Sequence, residues 1–211
     1  LSLLLLKLPA ILCDLASGYL IYRVASRKFT QNTSLILSAV YLFNPAVFVN
    51  SSMWGQVDAV FTLALLLLCL LLTEGKTIPA YFVFAIGVLM KPQMLIFTPL
   101  VLFGIYEHVF AKGFELKNFL RNLFGGIGAI VCMLLAAIPY GLDTVLKQYS
   151  STLGSYPYIS VNAYNFWSFL GLNWSSQEKK FLFLTYGQLG TVVIVLLTLI
   201  SAYIFVRKIH S

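Results

Sequence analysis

Ile78–Met90, IPAYFVFAIGVLM, and Met94–Tyr106, MLIFTPLVLFGIY, are two apolar runs separated only by Lys91-Pro92-Gln93. Each has 13 residues, about 20 Å of helix, which is short for a hydrocarbon core about 30 Å thick. Pro92 disfavours helical geometry at the residue before it, so the helix should end at Lys91. Two topologies are then open: one long kinked span, or two short helices meeting in a hairpin. The basic residues arbitrate, because Lys and Arg gather on the cytoplasmic side of membrane helices. A hairpin places nine on that side (Arg23, Arg27, Lys28, Lys76, Lys112, Lys117, Arg121, Arg207 and Lys208) against Lys7, Lys91, Lys147, Lys179 and Lys180. A single kinked helix divides the same residues seven and seven. The hairpin carries the stronger bias and is the expected arrangement. Broken backbone at membrane depth is tolerated where protein or a watery cavity covers it.

The reading assumes a bilayer, and composition supplies that premise. The chain has 211 residues, 60% hydrophobic and only 10% charged, too few charges to coat a soluble domain. The expectation is an all-α, polytopic transmembrane bundle of about seven membrane helices, the broken pair included. Further spans are read at Leu1–Val24, Thr33–Val49, Asp58–Thr73, Phe119–Ile138 and Gly187–Val206, with Glu107–Arg121 as a cytoplasmic connection that is partly an interfacial amphipathic helix. Residues 1–211 form one transmembrane domain, with 139–186 as an extracytoplasmic loop region. The start, Leu-Ser-Leu-Leu, has no charged region before it and no cleavage site after it, so it is not a signal peptide; a segment of a longer protein is expected. The net charge of +7 does not point to nucleic acid, because no basic run adjoins a soluble domain. Cys13, Cys69 and Cys132 lie far apart in apolar runs and read as small hydrophobes.

Polar residues stand out against this background. Asn44–Asp58, NPAVFVNSSMWGQVD, crowds Asn, Ser, Trp, Gln and Asp between two apolar runs. Trp54 and Asp58 suit an interfacial anchor followed by a helix cap. With Gln56 they equally suit the wall of an outer cavity, hydrogen-bonding and stacking on a polyhydroxylated ligand. Lys91, at the helix break, either snorkels or serves an anion, and a phosphate is the natural partner. Lys7 and Asp14 share one face of the first span; Asp14 reads as a packing residue satisfied by Lys7 or another neighbour, Lys7 as a second phosphate contact. Tyr156, Tyr158, Asn162, Tyr164, Asn165 and Trp167 form an aromatic and amide patch that suits an interfacial belt or a sugar. Gly125, Gly126 and Gly128 follow no strand, so they read as helix packing rather than a phosphate loop. His108 and His210 are lone. Sequons stand at Asn32, Asn50 and Asn173. No Ser-His-Asp set, metal-ligand cluster or nucleotide loop is visible, so no metal site or cofactor is identified, and a divalent-metal requirement is left open.

N-P-A at Asn44–Ala46, W-G-Q-V-D at Trp54–Asp58, K-P-Q at Lys91–Gln93 leading to Thr98-Pro99-Leu100, and N-A-x-N-x-W at Asn162–Trp167 together resemble the GT-C glycosyltransferases. K-L-P-x4-D at Lys7–Asp14 fits the mannosyltransferase branch related to the second enzyme of GPI-anchor assembly. The resemblance implies transfer of a hexose, most often mannose, from a polyprenyl-phosphate-linked donor to a lipid or glycan acceptor. It places the site on the extracytoplasmic or lumenal face of a bacterial plasma membrane or ER membrane. It also implies an acidic base in an outer loop after the first span; that loop is expected upstream of Leu1, with Asp58 a weaker candidate. Trp54, Gln56, Asp58, Lys91, Gln93, Asn162, Asn165 and Trp167 would contact substrate, Lys91 stabilising the departing phosphate. A transporter or lipid flippase, which should show a second broken helix in a matching half, and a non-catalytic membrane subunit are the competing readings.

Overall fold

The computed structural model describes residues 2–111, 113–154, 157–163 and 165–209. Lys112, Tyr156, Tyr164 and His210 lie outside the described residues. The described chain is mostly helical; its strands make one two-residue hairpin, Lys180–Phe181 with Leu184–Thr185, beside isolated bridges at Tyr158–Ser176 and Ser160–Asn173. It divides into two compact units, Leu1–Met133 and Leu134–Ser211.

In the first unit, α1 (Ser2–Ala25) packs on α2 (Gln31–Leu42), which starts at a Thr30 cap whose hydroxyl accepts from the Thr33 N–H. Small residues make the seam: Ser17 and Ser34 are fully buried, and Ser38 donates to the Gly18 carbonyl at 2.7 Å. Small residues let membrane helices approach closely where burial of apolar surface offers little drive. A Cβ on Gly18 would stand 2.7 Å from the Leu42 side chain. The second span, expected to run unbroken over Thr33–Val49, instead stops at Leu42. Asn44 caps a new short helix, α3 (Pro45–Phe48), its side chain accepting from the Ala46 N–H at 2.9 Å. Asn before Pro is a helix start, because Asn caps and Pro is preset for the first helical position. A π-helical turn over Val49–Trp54 follows, and the two halves are bent by 47°.

Helix α4 (Asp58–Thr73) and helix α5 (Thr77–Met90) are antiparallel neighbours joined by a tight loop. After Lys91 the chain makes a 3₁₀ turn, Pro92–Phe97, and then α6 (Thr98–Val109). Two contacts fix the direction of α6. Lys91 meets Asp58 at the start of α4, while His108 near the end of α6 lies against Gly75 just past the end of α4. The chain therefore turns back at Lys91, the hairpin expected from the charges. The second apolar run differs in detail, since its first residues form the 3₁₀ turn and the helix begins at Thr98.

Among the described residues Glu107–Arg121 forms no helix of its own: α6 runs to Val109, and α7 (Leu116–Ala137) already begins at Leu116. Gly125 packs on Ile78, where an added Cβ would come within 2.9 Å, whereas Gly126 faces open space. The second unit contains the end of α7, α8 (Leu142–Gly154), the short α9 (Phe166–Phe169), β1 (Lys180–Phe181), β2 (Leu184–Thr185) and α10 (Tyr186–Ile209). By length and apolarity two stretches qualify singly as membrane spans, Leu5–Ala25 and Leu116–Tyr140, and the bent pair makes a third. The shorter helices α4 and α5 and the Tyr186–Ser201 stretch of α10 are apolar as well, so the described residues are those of an α-helical membrane protein.

Candidate functional site

The polar island acquires its shape from the π-helical turn. A π-turn widens the backbone ring, and such turns cluster at functional sites. Gly55, at φ 76°, ends it in a left-handed conformation that suits Gly. The Asn50 carbonyl closes the turn by accepting from both the Gly55 and Gln56 N–H groups. Lys7 of α1 lies along Gly55 and donates to the Met53 carbonyl at 2.8 Å. Any side chain on Gly55 would crowd the Lys7 methylenes, the nearest 3.1 Å away.

Asp58 follows as the first residue of α4. Val57, not Asp58, stands at the cap position, and no side-chain capping bond is made there. The carboxylate is used otherwise. One oxygen forms an ion pair with the Lys91 ammonium, and the other receives the Asn50 amide at 3.5 Å. Lys91 is presented by an extended residue (φ −152°, ψ 111°) between the end of α5 and the 3₁₀ turn, its N–H still bonded to the Gly87 carbonyl. Pro92 imposes this by disfavouring the helix at Lys91. The ammonium also lies 5.7 Å from the centre of the Phe61 ring, a cation–π contact, and Phe61 in turn meets Phe97 at 6.1 Å. The side chains of Lys91 and Asp58 remain 33% and 36% exposed. The pair is thus reachable from outside yet backed by aromatic rings.

Helices α5, α6 and α7 line an apolar cavity of about 500 Å³, with Val88, Leu95, Val101, Ile105, Ile127 and Ile130 among its walls. Val88 and Leu95 bracket Lys91 in the sequence, so the cavity starts beside the helix break. Its one polar feature is the bond from the Tyr81 hydroxyl to the Asn122 side chain at 2.8 Å.

The structure thus brings Asp58 and Lys91 together. Trp54 is 73% exposed, and Gln56 and Gln93 are exposed on the neighbouring turns. Lys7 and Asp14 do not pair with each other: Asp14 is buried and accepts from Tyr41 at 3.1 Å, while Lys7 holds the π-turn. In the second unit the amides expected to meet sugar are engaged locally. Asn162 (φ 48°) accepts from the Trp174 indole N–H at 3.1 Å. Asn165 caps α9 by accepting from the Ser168 N–H, and Trp167 packs edge-on against Tyr186 at 5.4 Å. Sequence reasoning missed Asn50 as an Asp58 partner. The available signal was its place within the same polar island, where only a glycosylation sequon was read. Among the described residues, no three or more His, Cys, Asp or Glu converge as a metal cluster would.

A family model described as dolichyl-phosphate-mannose-protein mannosyltransferase matches residues 2–140. That span includes α1 to α7, the ion pair and the cavity. Searches of curated proteins and of solved structures returned no match. The matched stretch covers well over half the chain, and with the membrane bundle it settles the assignment: the chain belongs to the dolichyl-phosphate-mannose-protein mannosyltransferase family, within the GT-C membrane glycosyltransferases.

Proposed function

We propose that this chain transfers mannose from a polyprenyl-phosphate-linked donor to a lipid or glycan acceptor on the extracytoplasmic or lumenal face, in the branch related to the second GPI-anchor mannosyltransferase. The observation that carries the reading is the Lys91 ammonium at a helix break, held by one carboxylate, with Val88 and Leu95 on either side of that break lining an apolar cavity. A polyprenyl phosphate has the matching form: a charged phosphate joined to a long apolar chain. The phosphate takes the ammonium as counter-ion, the first isoprene units enter the cavity, and the sugar faces the polar island.

In sugar transfer the bond from C1 to the phosphate oxygen breaks while an acceptor hydroxyl attacks C1. Negative charge grows on the departing phosphate, and a fixed ammonium stabilises it more in the transition state than in the ground state. Lys91 fills that role. Asp58 holds the ammonium in place before the donor arrives and is a positioning carboxylate rather than the base. Trp54, Gln56 and Gln93 stand exposed around the same end and contact sugar or acceptor. Asn162, Asn165 and Trp167 shape their own segment, within residues 139–186, which we place on the extracytoplasmic side. The K-L-P-x4-D and W-G-Q-V-D motifs support the branch.

The test is transfer from a synthetic polyprenyl-phosphate mannose by the full-length enzyme in membranes. Wild type should transfer mannose and Lys91→Met should lose turnover at unchanged protein level. Unchanged turnover and donor affinity in Lys91→Met would refute the phosphate role.

A further inference from the structure

The α7 span runs through Tyr140, and its exposed apolar surface does not stop there. Leu134, Leu135, Ile138 and Tyr140 are 47%, 58%, 56% and 75% exposed on its last turns. The α-helix ends at Ala137, Ile138–Tyr140 continue it as a 3₁₀ turn, and Gly141, at φ 79°, turns the chain in a conformation other residues rarely adopt. Two residues after the span, α8 begins. Its sequence, LDTVLKQYSSTLG, puts Leu142, Val145, Leu146 and Tyr149 on one face at helical spacing. Asp143, Thr144, Lys147, Gln148 and Ser151 take the other. Leu142 and Leu146 are exposed, the latter by 67%. The hydroxyls of Ser150, Ser151 and Thr152 fold back on the carbonyls of their own helix.

We propose that α8 lies flat in the lipid interface of the leaflet where α7 ends, its Leu142–Leu146 face in the boundary between headgroups and acyl chains. The occupant follows from continuity. A covalent link of one residue, Gly141, holds the first turn of α8 at the membrane boundary, and the apolar surface of the span passes directly into the α8 stripe. A 13-residue helix standing upright would carry Leu146 several ångströms into water; lying down, it buries the stripe and wets the polar face. Asp143 and Lys147 lie one turn apart with opposite charges, so the polar face is neutral. Binding is therefore driven by apolar burial and does not require anionic lipid.

The experiment uses the full chain with Cys13, Cys69 and Cys132 replaced by Ala, reconstituted in phosphatidylcholine vesicles. Bimane is placed on Leu146→Cys, or on Ser151→Cys of the opposite face. The expected result is blue-shifted emission quenched by brominated phosphatidylcholine at position 146, and water-like emission quenched by iodide at position 151. Replacing part of the lipid by phosphatidylglycerol should change neither. Water-like emission at position 146 would overturn the proposal. So would blue-shifted emission without bromolipid quenching, which would mean that another segment, a second copy or a partner protein covers the face. Contact that appears only with phosphatidylglycerol would overturn the neutral recognition. As both labelled positions are exposed, neither substitution opens a core.

Discussion

The α4–α5 hairpin carries an ion cluster at each end, and the two are built differently. At one end Asp58, the first residue of α4, faces Lys91, the first residue past α5. At the other, Glu74 follows α4 and is held by Lys76 at 2.8 Å and by Arg27, from the α1–α2 loop, at 2.5 Å. The Glu74 cluster has two cations to one anion, both cations more than half exposed. Its job is local: it ties two loops together, where water around the exposed cations screens the charges. In the Asp58 pair it is the cation that is more enclosed, 33% exposed, and it is shared with the Phe61 ring. Removing one partner there strands a charge in poorly solvated surroundings. A cation with one carboxylate partner can exchange it for a phosphate; a carboxylate gripped by two cations in solvent has no such use.

Breaking the Asp58 end should give the largest effect. Lys91→Met should lower mannose transfer by about 10²–10³-fold, the usual cost of losing one donor to a developing oxyanion, as measured by initial rates in membranes. Asp58→Asn should destabilise the protein by roughly 2 kcal/mol, less than at a fully buried pair because about a third of each side chain meets solvent. Thermal unfolding in detergent reads this, and adding Lys91→Met should recover most of the loss. If the two changes add independently, the ions are not a coupled pair.

The other end should respond to shape more than to charge. Gly75 adopts φ 73°, and a Cβ there would stand 2.8 Å from His108 Nε2. Gly75→Ala should therefore cost about 1–2 kcal/mol, from backbone strain and the displaced imidazole. Equal unfolding temperatures for variant and wild type would contradict the packing of α6 against that loop.

Smallest is the titration of Glu74. The bonds from Lys76 and then Arg27 lower its carboxyl from the ordinary 4.5 to about 2. A depressed carboxyl pKa means that the folded state holds fewer protons than the unfolded one between those values. The contribution is thus complete above about pH 4.5 and disappears as the pH falls toward 2. Glu74→Gln should remove that slope and lower stability at neutral pH by the same small amount that wild type loses on acidification. A slope that persists in the variant belongs to other groups.

How much of this was legible in the sequence differs between the regions. The hairpin was, because Pro92 marks the break and the Lys and Arg distribution records which ends share a side. The Asn44–Asp58 island was legible as a polar patch but not as a π-turn, since residue preference does not separate the wider turn from an ordinary helix. The Asp58–Lys91 pair was hidden for another reason: its members are 33 residues apart, and only the antiparallel return of α5 makes them neighbours. The amides of Asn162 and Asn165 were legible as polar side chains, but their oxygens go to Trp174 and Ser168 because of local turn geometry. A side chain that suits a sugar equally suits a cap. Asn50 shows the converse, a residue taken for a surface sequon that reaches the ion pair.

The central claim is that Lys91 binds the phosphate of a polyprenyl carrier. The most direct measurement is inhibition by free polyprenyl phosphate, the leaving group itself, in the full-length enzyme and in a variant that keeps residual rate, Lys91→Arg. Arg retains the charge but not the compact ammonium geometry. The account predicts that inhibition weakens by about tenfold or more in Lys91→Arg, while inhibition by the uncharged polyprenol stays the same. Equal inhibition of both enzymes by polyprenyl phosphate would contradict it.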